Sequence, residues 1–171
     1  EKARQIIKDS NFMKIKTVIA GGPTRQDSVF LGLEQAAYDT DIVVVHDAAR
    51  PFVTKEVIID SINKARVYKA VIVGMPVKDT IKTVSDDCFV LNTLDRELLW
   101  QVQTPQVFEF SLLKEAHENA RKLNIQATDD SRLVELLGEK VKIINGSYEN
   151  MKITTQDDIK VSEAILKSRL S

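Results

Sequence analysis

The chain contains few of the residues that mark several protein classes. Its 171 residues include one cysteine, Cys88, one tryptophan and six glycines, and aromatic residues make up only 6%. A single cysteine excludes an intramolecular disulfide framework and is typical of a reducing compartment, so we expect a cytoplasmic protein. Cys88 lies in an acidic, turn-like segment, which argues against a role as a nucleophile.

Charge and hydropathy exclude two further kinds of partner. Lys and Arg total 24 against 25 Asp and Glu, which gives a formal net charge of -1, and the basic residues are dispersed. We expect no nucleic acid partner, because that partner requires a basic patch. The longest apolar run, Ala70 to Val77, is far shorter than the roughly 18 residues that a membrane span needs, so no membrane partner is expected. The 43% of hydrophobic residues instead predicts one globular domain over residues 1–171.

Strand-like and helix-like segments alternate along the chain. Apolar, β-branched runs predict strands at residues 14–20, 42–46, 70–75, 103–108, 141–144 and 151–154. Helices are expected from Thr24 to about 37, from Thr54 to about 67, over 111–123, from a cap at Thr128 to Gly138, and from Thr155 to about 170. This alternation is typical of an α/β, Rossmann-like, doubly wound and mainly parallel sheet.

Residues 77–94 depart from this alternation. Short β-like runs flank Ser85-Asp86-Asp87, which predicts a projecting hairpin, called here the β-arm. Because an isolated two-stranded hairpin is only marginally stable in water, we expect the β-arm to pack against a second copy of the chain. The sequence therefore predicts a homodimer.

The strongest candidate for a binding site follows the predicted strand at 42–46. The apolar run stops at His46-Asp47-Ala48-Ala49-Arg50-Pro51. In an open parallel sheet, ligands bind beyond the carboxyl ends of strands. There Asp47 could hold a cation or a ribose, and Arg50 a phosphate. A surface turn with a local Asp–Arg ion pair is the alternative, and this segment alone leaves both open.

A second candidate precedes the helix that begins at Thr24. Gly21 and Gly22 would let a ligand approach the backbone, and a helix N-terminus favours an anion. Arg25 and Ser28 are three residues apart and therefore share one helix face. A Gly-Gly pair is also common in tight connections, and the sequence contains no P-loop motif.

Seven motifs, in order along the chain, resemble the 2-C-methyl-D-erythritol 4-phosphate cytidylyltransferase family. They are Gly21-Gly22-x-x-Arg25-x-x-Ser28, His46-Asp47-Ala48-Ala49-Arg50-Pro51, Val77-Lys78-Asp79-Thr80, Asp95-Arg96-x-x-Leu99-Trp100, Gln103-Thr104-Pro105-Gln106, Thr128-Asp129 and Met151-Lys152-Ile153-Thr154. Each motif alone is unspecific, but together they cover nearly the whole chain. The resemblance is therefore specific.

The resemblance implies an activity and a set of site residues. The activity is transfer of CMP from CTP to 2-C-methyl-D-erythritol 4-phosphate, with Mg²⁺ as cofactor and release of pyrophosphate. The implied catalytic residues, which hold the attacking phosphate, are Arg96 and Lys152. The implied sugar-phosphate site comprises Asp47, Arg50, Thr80, Thr104 and Thr128, with Asp47 as the metal ligand. The implied nucleotide site comprises Gly21, Gly22, Arg25, Ser28 and Ala48.

Two alternatives to this activity remain open. Ribitol 5-phosphate cytidylyltransferases are similar in architecture and share most of the motifs. The sequence also contains nothing like the family's N-terminal glycine-rich loop that wraps the triphosphate, so we expect an N-terminally incomplete domain. A non-catalytic nucleotide-binding domain of the same fold is therefore the second alternative. We expect His46 to be a structural histidine beneath the site loop and His117 to be solvated.

Overall fold

Helices and strands alternate in a computed structural model that describes residues 2–10 and 12–170. In that part of the chain the helices are α1 (Lys2–Ser10), α2 (Arg25–Leu33), α3 (Lys55–Tyr68), α4 (Phe110–Lys122), α5 (Asp130–Leu136) and α6 (Gln156–Leu170). The strands are β1 (Ile42–Val45), β2 (Ala70–Pro76), β3 (Lys82–Val84), β4 (Val90–Thr93), β5 (Trp100–Glu109) and β6 (Lys142–Asn145). A short 3-10 helix over Arg96–Leu98 precedes β5.

Four strands form one mixed sheet in the order β1-β5-β2-β6. β2 pairs in parallel with β6, whereas the long β5 lies between β1 and β2 and is antiparallel to both. The strands β1, β2 and β6 therefore run in one direction and β5 in the other. The predicted α/β class is confirmed, and the sheet contains a parallel pair, although the pairings of β5 with β1 and β2 are antiparallel.

Helices cover both faces of the sheet. The buried strand β2 sends alternate side chains to opposite faces, and each face packs against different helices. Ile72 packs into a cluster with Leu113 of α4 and Leu133 of α5. Its neighbour Val73 packs on the other face with Ala65 of α3. The two faces thus have separate hydrophobic cores, as a doubly wound sheet requires.

Strand β5 brings polar residues into the interior between these cores. Gln103, Thr104 and Gln106 are all buried, and they are followed directly by the fully buried Val107 and Phe108. Buried polar side chains must find hydrogen-bond partners. The middle of β5 is consequently a polar floor on which loops from both sides can be fixed.

Two of the predicted strands do not form in the described part of the chain. Residues 14–20 have no regular structure, and the Arg4 guanidinium of α1 donates to the Val18 carbonyl at 3.2 Å. Residues 151–154 are also irregular, although the Ile153 N–H donates to the Ala49 carbonyl at 2.8 Å. Both segments have β-branched residues, but a strand needs a neighbouring strand along its length, and neither pairs with one.

The helix starts follow the capping patterns with one correction. At α2, Thr24 accepts the Asp27 N–H and Asp27 accepts the Thr24 N–H, which confirms the capping box. At α5 the cap is Asp129, which accepts the Arg132 N–H at 3.2 Å, and the prediction of Thr128 is wrong. The aspartate is the better cap because its carboxylate also favours the positive end of the helix dipole.

Helix α2 ends at Leu33, earlier than predicted. The N–H groups of Gln35 and Ala36 donate to the carbonyls three residues before them, at 3.1 Å, so the last turn tightens and stops. The β-arm is confirmed as a hairpin of β3 and β4, closed by a bond from the Cys88 N–H to the Ser85 carbonyl. No helix among residues 2–10 and 12–170 is long and apolar enough to cross a bilayer.

We predict opposite effects for alanine at two glycines. A Cβ at Gly146 would lie 2.5 Å from Gln103 Oε1 and 2.6 Å from Val73 Cγ1, closer than atoms can approach. Gly146→Ala should lower the free energy of unfolding by about 1–3 kcal/mol, because Gln103 must shift away from the Ser147 carbonyl that it holds at 2.9 Å. Chemical denaturation measures this loss.

Gly32 of α2 is the matched control, since a Cβ there meets no atom within 4 Å. Gly32→Ala should be neutral or stabilising by up to about 1 kcal/mol, because alanine favours the helix. An equal loss in both variants would contradict the packing assigned to Gly146.

Candidate active site

A cavity of about 430 Å³ opens where six parts of the chain meet. These parts are the start of α2, the loop after β1, strand β2, strand β5, helix α5 with the residues before it, and the loop after β6. Its described lining residues are Arg25, Asp47, Arg50, Ile72, Val102, Gln103, Thr104, Gln106, Thr128, Asp129, Ser131, Arg132, Glu135 and Lys152. The motif after β1 therefore lies in a real cavity and is more than a surface turn.

The Asp47 carboxylate lies among three cations. Lys152 Nζ is 3.1 Å from its Oδ2 and Arg50 Nε is 3.5 Å from the same oxygen. Arg25 Nε is 3.8 Å from Oδ1, and Arg25 also pairs with Asp130 at 2.7 Å. Two carboxylates thus face three cations, so the group has an excess of positive charge.

This surrounding charge keeps Asp47 ionised. Burial raises the pKa of Asp47, but the hydrogen bond and charge of Lys152 and the charges of both arginines outweigh it. The pKa of Asp47 consequently lies below the ordinary aspartate value. Burial lowers the pKa of Arg50, and the Asp47 charge opposes this shift. An arginine remains protonated under all ordinary conditions, so its positive charge is permanent.

The Thr104 hydroxyl fixes the beginning of the Asp47 loop. It accepts the Asp47 N–H at 3.0 Å and lies 2.9 Å from His46 Nδ1, while His46 Nε2 lies 3.1 Å from the Arg50 carbonyl. These contacts agree when His46 carries its proton on Nε2, which donates to the carbonyl, and accepts from Thr104 on Nδ1. Both ring nitrogens are then satisfied, which confirms the structural role expected for His46.

Asn150 connects the loop after β6 to the floor of the cavity. It is 2% exposed, and its amide nitrogen donates to the Thr104 carbonyl at 2.8 Å and to Gln103 Oε1 at 3.2 Å. The Asn150 backbone carbonyl accepts a hydrogen bond from Arg50 Nη1 at 2.8 Å. Asn150 therefore positions one of the cavity's cations, and none of the sequence motifs includes it.

A second charged group lies behind Arg25. The Asp130 carboxylate is 1% exposed, and it accepts Arg25 Nη1 on Oδ2 and lies 2.9 Å from His117 Nε2 on Oδ1. His117 is fully buried, so the expectation that it is solvated is wrong. It shares the buried face of α4 with Leu113, one turn earlier, which turns its ring toward α5.

Comparison with known proteins assigns this chain to a family. The profile of the 2-C-methyl-D-erythritol 4-phosphate cytidylyltransferase family matches residues 1–168. The chain belongs to this family. A family member from Pelotomaculum thermopropionicum is 49% identical over 164 residues, which cover 96% of this chain and 69% of that protein. A member from Caldanaerobacter subterraneus is 50% identical over 150 residues, covering 88% of this chain and 66% of that protein.

Solved structures of cytidylyltransferases have the same fold. A 4-diphosphocytidyl-2C-methyl-D-erythritol synthase from Anaerococcus prevotii superimposes with a TM-score of 0.89 at 37% identity, over 98% of this chain and 75% of that one. The 2-C-methyl-D-erythritol 4-phosphate cytidylyltransferase from Thermus thermophilus gives 0.81 at 34% identity, over 91% of this chain and 79% of that one. The chain thus has the overall fold of these solved cytidylyltransferases.

The cavity of this cytidylyltransferase unites residues that the resemblance divides between two sites. Asp47, Arg50, Thr104 and Thr128, which the resemblance implies for the sugar phosphate, line it together with Lys152, and so does Arg25 from the implied nucleotide set. The other nucleotide residues, Gly21, Gly22, Ser28 and Ala48, are not among its described lining residues. The Gly22 N–H donates to Ser28 Oγ at 3.0 Å, which joins the glycine loop to α2.

Arg96 and Thr80 lie outside the cavity of their own chain. Both are exposed, and Arg96 Nη1 donates to the Lys78 carbonyl at 2.8 Å beside the β-arm. The structure of one chain therefore does not bring Arg96 and Lys152 together.

We predict that Lys152→Met raises the pKa of Asp47, because it removes both the hydrogen bond and the nearest positive charge. The carboxyl carbon shift of Asp47, followed by NMR through an acid titration, measures it. Since the folded pKa is lowered, the stability from this group is present above the unfolded pKa and is lost as pH falls through the folded pKa. The variant should accordingly lose less stability than the parent protein on acidification.

Lys160→Met is the control for this titration. Lys160 pairs with Asp157 at 2.8 Å on the exposed face of α6, away from the cavity. It should leave the pKa of Asp47 unchanged, and an unchanged pKa in Lys152→Met as well would contradict the contact seen here.

Proposed function

We propose that this protein transfers CMP from CTP to 2-C-methyl-D-erythritol 4-phosphate and releases pyrophosphate. The observation that carries the proposal is the group of three cations, Arg25, Arg50 and Lys152, gathered around Asp47, because both substrates are phosphate anions. Phosphoryl and nucleotidyl transfers need positioning and charge stabilisation more than a protein nucleophile. We place the reaction in the cytoplasm, because Cys88 is free and exposed, as a reducing compartment allows.

In this proposal a phosphate oxygen of the sugar alcohol attacks the α-phosphorus of CTP, and the bond from that phosphorus to the leaving pyrophosphate oxygen breaks. We place Lys152 on the attacking phosphate. Its side chain is 44% exposed and points to Asp47 at 3.1 Å, so a phosphate can share it. No general base is required, because a phosphate monoester is already ionised near neutral pH.

Arg50 holds the other side of the acceptor phosphate in this proposal, while Thr104 fixes the Asp47 loop beside it. Arg50 is fixed by Asn150 and faces Asp47, and its guanidinium presents several donors in one plane. Because the guanidinium is already oriented, little conformational entropy is lost when phosphate binds.

We propose Mg²⁺ as the cofactor, with Asp47 as its protein ligand. Nucleotide sites commonly hold Mg²⁺ through one or two carboxylates and the substrate phosphates. Asp47 fits this role, because its Oδ1 has only a long contact of 3.8 Å to Arg25. Within residues 2–10 and 12–170, no cluster of three or more acidic, histidine or cysteine ligands forms a separate metal cage. When bound, Mg²⁺ would neutralise charge that develops on the phosphates.

The two alternatives are separated by one assay. The relatives and structures described above carry the methylerythritol name, which supports 2-C-methyl-D-erythritol 4-phosphate over ribitol 5-phosphate as acceptor. Pyrophosphate release should be measured with CTP and each acceptor in parallel. Release with ribitol 5-phosphate alone would overturn the proposed acceptor, and CTP binding without release would indicate a non-catalytic domain.

We predict that Lys152→Ala lowers kcat by about 100-fold or more, the usual cost of removing a donor that stabilises developing charge. Steady-state pyrophosphate release measures the effect. Lys160→Ala, an exposed lysine of α6, should keep the rate of the parent protein. A near-normal kcat in Lys152→Ala would remove Lys152 from the mechanism.

We also propose a homodimer formed through the β-arm. Phe89 is 73% exposed, and Val84, Val90 and Leu91 are more than half exposed beside it. Large exposed apolar side chains grouped on one hairpin are typical of an interaction surface. Arg96 lies directly after the β-arm and outside its own cavity, so in the dimer it would complete the cavity of the partner.

We predict that two inactive variants restore activity when they are mixed. If each site uses its own Lys152 and the partner's Arg96, a hybrid of Arg96→Ala and Lys152→Ala subunits has one intact site. An equal mixture after subunit exchange should recover about a quarter of the parent activity, because about half of the dimers are hybrids. No recovery, or a monomer by light scattering, would count against this arrangement.

A further inference from the structure

A buried histidine–carboxylate pair supports Arg25 from behind the cavity wall. Each oxygen of Asp130 has one partner, His117 Nε2 at 2.9 Å and Arg25 Nη1 at 2.7 Å. Asp130 and His117 are 1% and 0% exposed, so no substrate can reach them directly. The contacts form a chain from His117 of α4 through Asp130 of α5 to Arg25 of α2, whose Nε faces Asp47.

At the position of His117, an apolar side chain would bury no polar atom without a hydrogen-bond partner. His117 Nδ1 is buried and has no hydrogen-bond partner in the described part of the chain. A buried polar atom without a partner costs stability. The ring is nearly surrounded by core, with the Phe30 ring centroid 6.3 Å away. What His117 contributes is therefore the Nε2–H donor to Asp130.

His117 determines which oxygen of Asp130 is available to Arg25. The Asp130 N–H donates to Gln106 Oε1 at 3.2 Å, and His117 takes Oδ1, so Oδ2 alone is directed at the guanidinium. Without the histidine, both oxygens of a buried carboxylate would compete for Arg25. The 3.8 Å between Arg25 Nε and Asp47 is too long for a hydrogen bond, so Nε can donate to a ligand in the cavity.

We propose that His117 and Asp130 are positioning residues that aim Arg25 at the phosphate of the sugar-alcohol substrate. This inference rests on the proposed function and moves Arg25 from the nucleotide side of the site to the acceptor side. Arg25 lines the same cavity as Arg50, Thr128 and Lys152. Its neighbours in the glycine loop do not line that cavity within the described residues.

Isothermal titration calorimetry with 2-C-methyl-D-erythritol 4-phosphate and, separately, CTP tests the proposal. Arg25→Met should weaken binding of the sugar phosphate by about tenfold or more and change the Kd of CTP by less than about threefold. His117→Leu should weaken sugar-phosphate binding in the same direction. His117→Gln should restore it, because the glutamine amide can donate to Asp130 from the position of Nε2.

Leu113→Val is the control for packing, since Leu113 is fully buried one turn before His117 on the same helix. It should lower Tm without changing either Kd. In the Arg25→Met background, His117→Leu should cause no additional loss of sugar-phosphate affinity, because its effect passes through Arg25. An additional loss of the same size, or a Kd change for CTP instead, would overturn the proposal.

The proposed function can fail separately. If the parent protein binds neither ligand, the proposed reaction is wrong, and the same double-variant cycle is then followed by thermal unfolding. Additive changes in Tm for Arg25→Met and His117→Leu would overturn the positioning pair. Non-additive changes would support it.

Discussion

The Asp47 carboxylate is the interaction on which the arrangement of the site depends. Arg25, Arg50 and Lys152 come from three separate segments, and their charges would repel one another in a partly buried cavity. The ionised Asp47 carboxylate between them offsets this repulsion. The free site is thus held in its binding geometry by an internal anion, and an incoming phosphate competes with that anion for cations that are already oriented.

The polar middle of β5 fixes the two loops that carry these charges. Thr104 binds the Asp47 loop through its hydroxyl and the Asn150 loop through its carbonyl, and Gln103 holds Asn150 and Ser147. These groups replace apolar core, so the strand contributes less hydrophobic stabilisation than its burial would allow. The strand instead fixes the positions of the two loops, because only one arrangement of them satisfies all of these hydrogen bonds.

Local patterns in the sequence predicted much of the fold, whereas long-range pairings were not accessible. The β-branched run before Asp47, the capping box at Thr24 and the turn of the β-arm depend on neighbouring residues, and each is confirmed. The strand predicted at residues 14–20 failed because pairing depends on segments elsewhere. The ion pair of Arg25 with Asp130 spans 105 residues, so no local pattern could identify the two as partners. For His117, the helical spacing from Leu113 was a usable signal for burial.

Asp47 and Asp130 both offset the positive charge of Arg25, but they differ in burial. The Asp47 side chain is 17% exposed and faces the cavity, so a phosphate anion can compete with it for the surrounding cations. Asp130 is 1% exposed and bonded on both oxygens, so no ligand can take its place. Arg25 therefore keeps its hydrogen bond to Asp130 when an anion replaces its longer contact of 3.8 Å to Asp47. Because the guanidinium is already oriented, little conformational entropy is lost when that anion binds.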